Sequence, residues 1–93
     1  MKHPVASDAR KNIYNRLRRI EGQARGIQRM VEEGKDCTQI ITQLTALQAA
    51  VKNVSKLVLS NYLECCIEEE MSRSGDYRAA IRRLSEILIQ AKL

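Results

Sequence analysis

The chain has no Trp, no Phe and only three Tyr among its 93 residues. A core built on large aromatic side chains is therefore excluded, and packing falls to Ile, Leu, Val and Ala. A chain this short makes one domain and buries only a modest core by itself. One Pro and four Gly supply few of the turns that a β-rich fold needs. No apolar run approaches the roughly 18 residues of a membrane span. Met1-Lys2-His3-Pro4-Val5 is not followed by the apolar stretch of a secretory signal. The expected setting is cytoplasmic, with no membrane partner. Three cysteines, an odd number, argue against a structural disulfide framework. The single histidine, His3, leaves no Ser-His-Asp set and little for general acid–base catalysis. No zinc finger, P-loop or dinucleotide-binding loop is present. The chain does not read as an enzyme.

What is present is helical periodicity. Ser7 or Asp8 is a candidate cap for a first helix running to about Val31. Ile13, Leu17, Ile20, Ala24, Ile27 and Val31 recur in steps of three and four, as one buried stripe requires. Gly22 and Gly26 lie inside this helix, where glycine costs about 1 kcal/mol, so close approach of another helix is expected there. Gly34 suits a C-terminal cap and Asp36 a new N-terminal one. A second helix is expected from Cys37 to about Met71, with Ile40, Leu44, Leu47, Val51, Val54, Val58 and Cys65 apolar. Ser72-Arg73-Ser74-Gly75 ends it, and Asp76 starts a third helix with Ile81, Leu84, Leu88 and Ala91 on one face.

A second helix of that length, roughly 52 Å at 1.5 Å per residue, projects beyond any three-helix globule this chain could form. Antiparallel pairing with a second copy into a bundle is the expected solution. A long coiled-coil adaptor without a ligand is the plainer alternative. Residues 1–93 are read as one all-α, three-helix domain, with 1–7 a flexible arm.

The same helix organises the cysteines. Cys37 and Cys66 are 29 residues apart, an offset of roughly 20° around the helix and roughly 43 Å along it. They share a face but cannot meet within one straight helix, whereas two antiparallel copies would bring Cys37 of one chain near Cys66 of the other. Cys37 falls at a helix start, which favours thiolate, both the nucleophile of sulfur chemistry and a soft ligand for Cu(I). Cys65 points about 280° from Cys37, in the direction of Leu47, Val54 and Val58, and reads as a small core residue. Tyr62 lies one turn before Cys66 on the same face. His3 reads as a solvated tail residue, and Glu68-Glu69-Glu70 as a solvated face.

The net charge of +5 is uneven. Residues 1–31 carry eight Lys and Arg against Asp8 and Glu21. Lys11, Arg18, Arg25 and Arg29 fall within about 40° of one another on the first helix, opposite its apolar stripe. Such a line tracks phosphates, although the same residues would also serve simply to solvate a surface. Arg16 and Arg19 flank the stripe, and Arg78, Arg82 and Arg83 on the third helix would extend the patch.

Asn15-Arg16-Leu17-Arg18-Arg19-Ile20-Glu21-Gly22-Gln23, Gly34-Lys35-Asp36-Cys37, Gln43-Leu44-Thr45-Ala46-Leu47-Gln48 and Asn61-Tyr62-Leu63-Glu64-Cys65-Cys66 together resemble the copper-sensitive operon repressor family. That family comprises copper-, nickel-, formaldehyde- and persulfide-responsive repressors, and the resemblance spans nearly the whole chain. It implies three-helix protomers in antiparallel dimers that assemble as dimers of dimers, binding double-stranded operator DNA until an inducer releases it. It further implies DNA contacts from Arg16, Arg18, Arg19 and Lys56. The family's copper site of two cysteines and a histidine falls on Cys37, Cys66 and Tyr62, and its supporting glutamate on Arg83. Those two departures point to the persulfide-sensing branch, which needs only the cysteines. The nickel and formaldehyde branches use more histidine, or a proline directly after the initiator, where this chain has Lys2.

The expectation is thus a repressor that reactive sulfur species release from DNA by linking Cys37 and Cys66 across the dimer, with no cofactor required. Two alternatives stand beside it: a Cu(I)-responsive repressor with Cys37 and Cys66 as metal ligands, and a structural bundle without a sensing role.

Overall fold

The computed structural model describes residues 4–91. Three helices follow in order: α1 (Ser7–Glu32), α2 (Cys37–Ser74) and α3 (Tyr77–Ala91). Their ends are set by short-range chemistry. Asp36 caps α2, accepting from the Thr38 backbone N–H at 3.1 Å and from the Thr38 hydroxyl. At the end of α1, Gly34 adopts φ +69°. Its N–H donates to Val31 O at 3.2 Å, and that of Lys35 to Met30 O at 3.0 Å, the paired bonds of a Schellman ending. Gly75 closes α2 in the same left-handed region, with φ +67° and its N–H on Met71 O at 2.9 Å. Asp76 then opens α3, its Oδ1 accepting from Arg78 N–H at 2.9 Å.

The start of α1 differs from expectation. Ala6 is the capping residue and gives no side-chain bond, so neither Ser7 nor Asp8 caps the helix. The Ala6 carbonyl already accepts from the N–H groups of Ala9 and Arg10, each at 3.0 Å. This draws Ser7 and Asp8 into the first turn, where the Asp8 carboxylate faces the positive end of the helix dipole. The arm expected over residues 1–7 lies partly outside the described residues, as does His3. Within the described part, Ala6 N–H donates to Asn61 Oδ1 at 2.9 Å.

The protein is elongated, 59 × 26 × 16 Å. α1 packs on α2 and α2 on α3, with no α1–α3 packing among the described residues. Ile13 and Ile27 of α1 and Val54 of α2 are buried, as are Cys66 and Ala80 where α3 crosses α2. The single apolar stripe expected on α2 is divided: Val54 is buried, whereas Leu44, Val51 and Val58 are exposed. These three are spaced by seven residues, the repeat of a helix seam awaiting another helix. Leu17 of α1 is exposed beside them. On α3 the inward residues are Ala80, Leu84 and Ile87, while Ile81 and Leu88 remain exposed. The register is therefore shifted from the face expected, because α3 meets α2 on one narrow side only.

Gly22 and Gly26 have open space where a Cβ would stand, so the close approach expected there does not occur within the protomer. No helix among the described residues is long and apolar enough to cross a membrane.

Candidate functional site

α2 is continuous from Cys37 to Ser74, which keeps the two expected sensing thiols on one rod. At 1.5 Å per residue, Cys37 and Cys66 are roughly 43 Å apart, too far to act together in one protomer. No group of three His, Cys, Asp or Glu side chains among the described residues is placed to hold a metal ion. A site using both thiols therefore needs a second copy.

The environments of the two thiols differ. Cys37 is exposed at the first turn of α2, next to the Asp36 cap. Cys66 is buried, 4% exposed, while Cys65 is only partly covered. The expected order of burial within the adjacent pair is thus reversed. Cys65 does point with Leu47, Val54 and Val58, but α3 crosses the neighbouring face of α2, covering Cys66 and, one turn on, Glu70. Glu70 is buried and paired with Arg73, so the acidic run is not uniformly a solvated face.

Arg83 of α3 is exposed and stands beside Cys66, whose side chain, by hydrogen bonding first and by charge second, raises the guanidinium above its ordinary range; Tyr62 and Glu69 add attraction and desolvation opposes it. The residue that the sequence offers as part of a basic patch thus stays on the surface, with a cysteine as neighbour. Helical periodicity carries no signal for this contact, because it depends on how α3 lies across α2.

Between the two ends of α2 lies an open apolar hollow of about 500 Å³, lined by Leu17, Val51, Val54, Val58, Leu59 and Tyr62 with Ser55. Tyr62, one turn before Cys66, is half-buried at its edge.

The expected DNA-contact residues form two groups. Lys11, Arg18, Arg25 and Arg29 are all exposed along the outer side of α1, with Arg18 Nη1 donating to the Tyr14 hydroxyl at 3.3 Å. Arg16, Arg19 and Lys56 are brought together where α1 meets α2. Arg16 and Arg19 border a groove of about 150 Å³ with Gln23 and Asn53. Arg16, Asn53 and Lys56 border another of about 400 Å³. Arg16 is aimed by its Nε, which donates to Asn12 Oδ1 at 3.1 Å. Asn53 and Gln23, which sequence reasoning passed over, bring donors and acceptors to this cationic groove. Arg78 and Arg82 are exposed on α3, which makes no contact with α1 among the described residues.

Comparison with known proteins gives a consistent picture. The family described as metal-sensitive transcriptional repressor matches residues 9–90. The copper-sensing transcriptional repressor CsoR of Bacillus subtilis is 43% identical over 82 residues, covering 88% of this chain and 80% of the relative. The copper-sensing transcriptional repressor RicR of Mycobacterium tuberculosis is 41% identical over 64 residues, covering 69% and 67%. Among solved structures, the copper-sensing repressor CsoR with Cu(I) from Geobacillus thermodenitrificans superposes with a TM-score of 0.73 at 34% identity, covering 97% of this chain and 93% of that one. The nickel-responsive transcriptional regulator InrS gives 0.72 at 30% identity, covering 97% and 98%.

These proteins bear the names of regulators rather than enzymes, in agreement with the sequence. They overturn the expected inducer, however. The similarity is to copper-sensing repressors, not to a persulfide-sensing branch, and the reading of Cys37 and Cys66 as a reactive-sulfur switch falls with it. The physical reason is that thiolate serves sulfur chemistry and soft-metal binding equally. Cysteine spacing therefore does not tell one signal from the other.

Proposed function

The chain belongs to the metal-sensitive transcriptional repressors, and from that premise we propose that it is a copper-sensing DNA-binding repressor acting as a homodimer that pairs into a tetramer. The observation that carries this reading is the arrangement along α2: one thiol near each end on nearly one face, with an unpartnered apolar seam between them. Antiparallel pairing of two copies through Leu44, Val51 and Val58 covers the seam and sets Cys37 of each protomer near Cys66 of its partner.

The donor set fits a soft monovalent ion. Two thiolates suit Cu(I), whereas the Tyr62 phenol is a poor soft ligand. Cys37 and Cys66 would hold it, and the bound ion would supply a soft cationic centre joining two chains. The protein's own part is mechanical. Cys66 sits under α3, so drawing it toward the partner's α2 disturbs the α2–α3 contact and the pairing of the two long helices. Arg16, Arg19 and Lys56 stand on α1 and α2 along two adjoining grooves that meet at Arg16 and Asn53, beside the long helix that does the pairing. Together with Lys11, Arg18, Arg25 and Arg29 they bind the phosphates of operator DNA. A ligand favouring the other packing weakens DNA binding by linkage.

The test is operator binding by the reduced protein, followed by fluorescence anisotropy with and without one Cu(I) per protomer. Tight, sequence-specific binding that Cu(I) weakens, with Cys37→Ala and Cys66→Ala binding DNA but ignoring Cu(I), is the expected result. Operator affinity unchanged by Cu(I), or equal affinity for unrelated DNA at moderate salt, would sink the proposal.

A further inference from the structure

Two side chains border both grooves between α1 and α2, Arg16 and Asn53. The Arg16 guanidinium is steadied by its Nε on Asn12 Oδ1 at 3.1 Å. Asn53 is exposed, and its carboxamide is left without a hydrogen bond among the described residues.

A rotation of about 100° per residue places its neighbours on α2. Ala50 and Leu57, which line the grooves with residues of α1, stand about 60° and 40° to one side of Asn53. Lys56 and Lys52 stand about 60° and 100° to the other side, and both are exposed. The amide thus lies between two sets of cations, Arg16 and Arg19 from α1 and the two lysines of α2.

That order has a chemical meaning. Lys and Arg side chains only donate hydrogen bonds, whereas a carboxamide both donates and accepts. Charged donors suit phosphates, which fix position and carry no sequence information directly. Between two rows of phosphates lies the floor of a groove, where base edges are displayed. The major groove, about 12 Å wide, admits one helix. Adenine there offers a ring-nitrogen acceptor beside an amino donor, the pair that a carboxamide matches.

Resting on the DNA-binding reading above, we propose that Asn53 reads an adenine in the major groove of the operator while the cations on either side of it hold the phosphates. Asn53 sets the sequence preference, and the cations set the affinity.

The test selects duplexes from a random double-stranded DNA pool with the reduced, full-length protein, and repeats the selection with Asn53→Ala and Lys56→Ala. Alanine is the better helix former at an exposed position; circular dichroism and sedimentation check folding and assembly. The wild type is expected to recover a motif containing an adenine that Asn53→Ala no longer requires. On the wild-type motif, Asn53→Ala should bind about 5- to 100-fold more weakly, with the slope of log affinity against log salt retained. Lys56→Ala should keep the motif and lose about one unit of slope. Replacing that adenine by 7-deazaadenine, which lacks the ring-nitrogen acceptor, should weaken the wild type and leave Asn53→Ala unaffected. The same motif from Asn53→Ala and wild type, or equal sensitivity of both to 7-deazaadenine, overturns the base-reading role and leaves DNA binding standing. A reduced salt slope in Asn53→Ala assigns the residue to a phosphate and overturns it as well. Recovery of no motif by the wild type overturns both this proposal and the repressor reading.

Discussion

The backbone N–H of Ala6 donates to Oδ1 of Asn61 at 2.9 Å, joining the residue that opens α1 to the middle of α2. Asn61 directly precedes Tyr62 and stands one turn before Cys65. The helix that carries seven of the sixteen Lys and Arg residues is thus pinned beside the segment that carries two of the three thiols. A change in packing at Cys66 has a short path to the start of α1.

Asn61→Ala should leave the Ala6 N–H without its partner and lower stability by about 1 kcal/mol, the usual net value of such a bond. Asn61→Asp retains an acceptor oxygen and should lose less. Urea denaturation of the reduced protein gives both values. Equal stability of Asn61→Ala and wild type would show that the bond contributes nothing.

The seam on α2 predicts assembly. Val51→Asp places a charge at the centre of the exposed Leu44, Val51 and Val58 row, and burying it against a second copy would be strongly unfavourable. Sedimentation should find the wild type as a dimer or larger and the variant shifted to monomer with much reduced helix content. An unchanged oligomer would place the interface elsewhere.

The glycines separate into two classes. Gly75 has φ +67° with only ordinary contact expected for a Cβ, 3.9 Å from Met71 O, so Gly75→Ala should cost about 1–2 kcal/mol through backbone strain alone. Gly22→Ala and Gly26→Ala meet nothing within the protomer and should raise stability by up to about 1 kcal/mol through helix propensity. Thermal melts compare the three variants directly.

Stability should depend on acid through Asp36. Its carboxylate is held below the ordinary value of 3.8, first by the Thr38 hydroxyl and then by the Thr38 backbone N–H. The unfolded chain therefore takes up the proton before the folded one. The cap's contribution is complete above the ordinary value and is lost as pH falls through the lowered one. Asp36→Asn, which still accepts a bond but does not titrate, should flatten this part of the Tm-versus-pH curve below about pH 4.

DNA binding should respond to the groove and the outer row in the same currency. Lys56→Ala and Arg25→Ala should each weaken operator binding and each reduce the slope of log affinity against log salt by about one. A residue whose loss leaves the slope unchanged makes no phosphate contact.

Sequence alone determined the helical class, the joints at Gly34–Asp36 and Gly75–Asp76, and the shared face of Cys37 and Cys66. Each of these follows from hydrogen bonds spanning a few residues or from a constant rotation per residue, so no distant contact enters. It also located the family, through motifs spread along the whole chain. The tertiary structure decided what depends on one helix crossing another: that Cys66 and not Cys65 is the buried thiol, that Glu70 is covered, that Arg83 stands beside Cys66, and that Ala6 is tied to Asn61. α3 meets only a narrow side of α2, and a step of about 100° per residue places adjacent residues on opposite sides of that boundary. Periodicity gives the step, but only the packed helices show where the boundary lies.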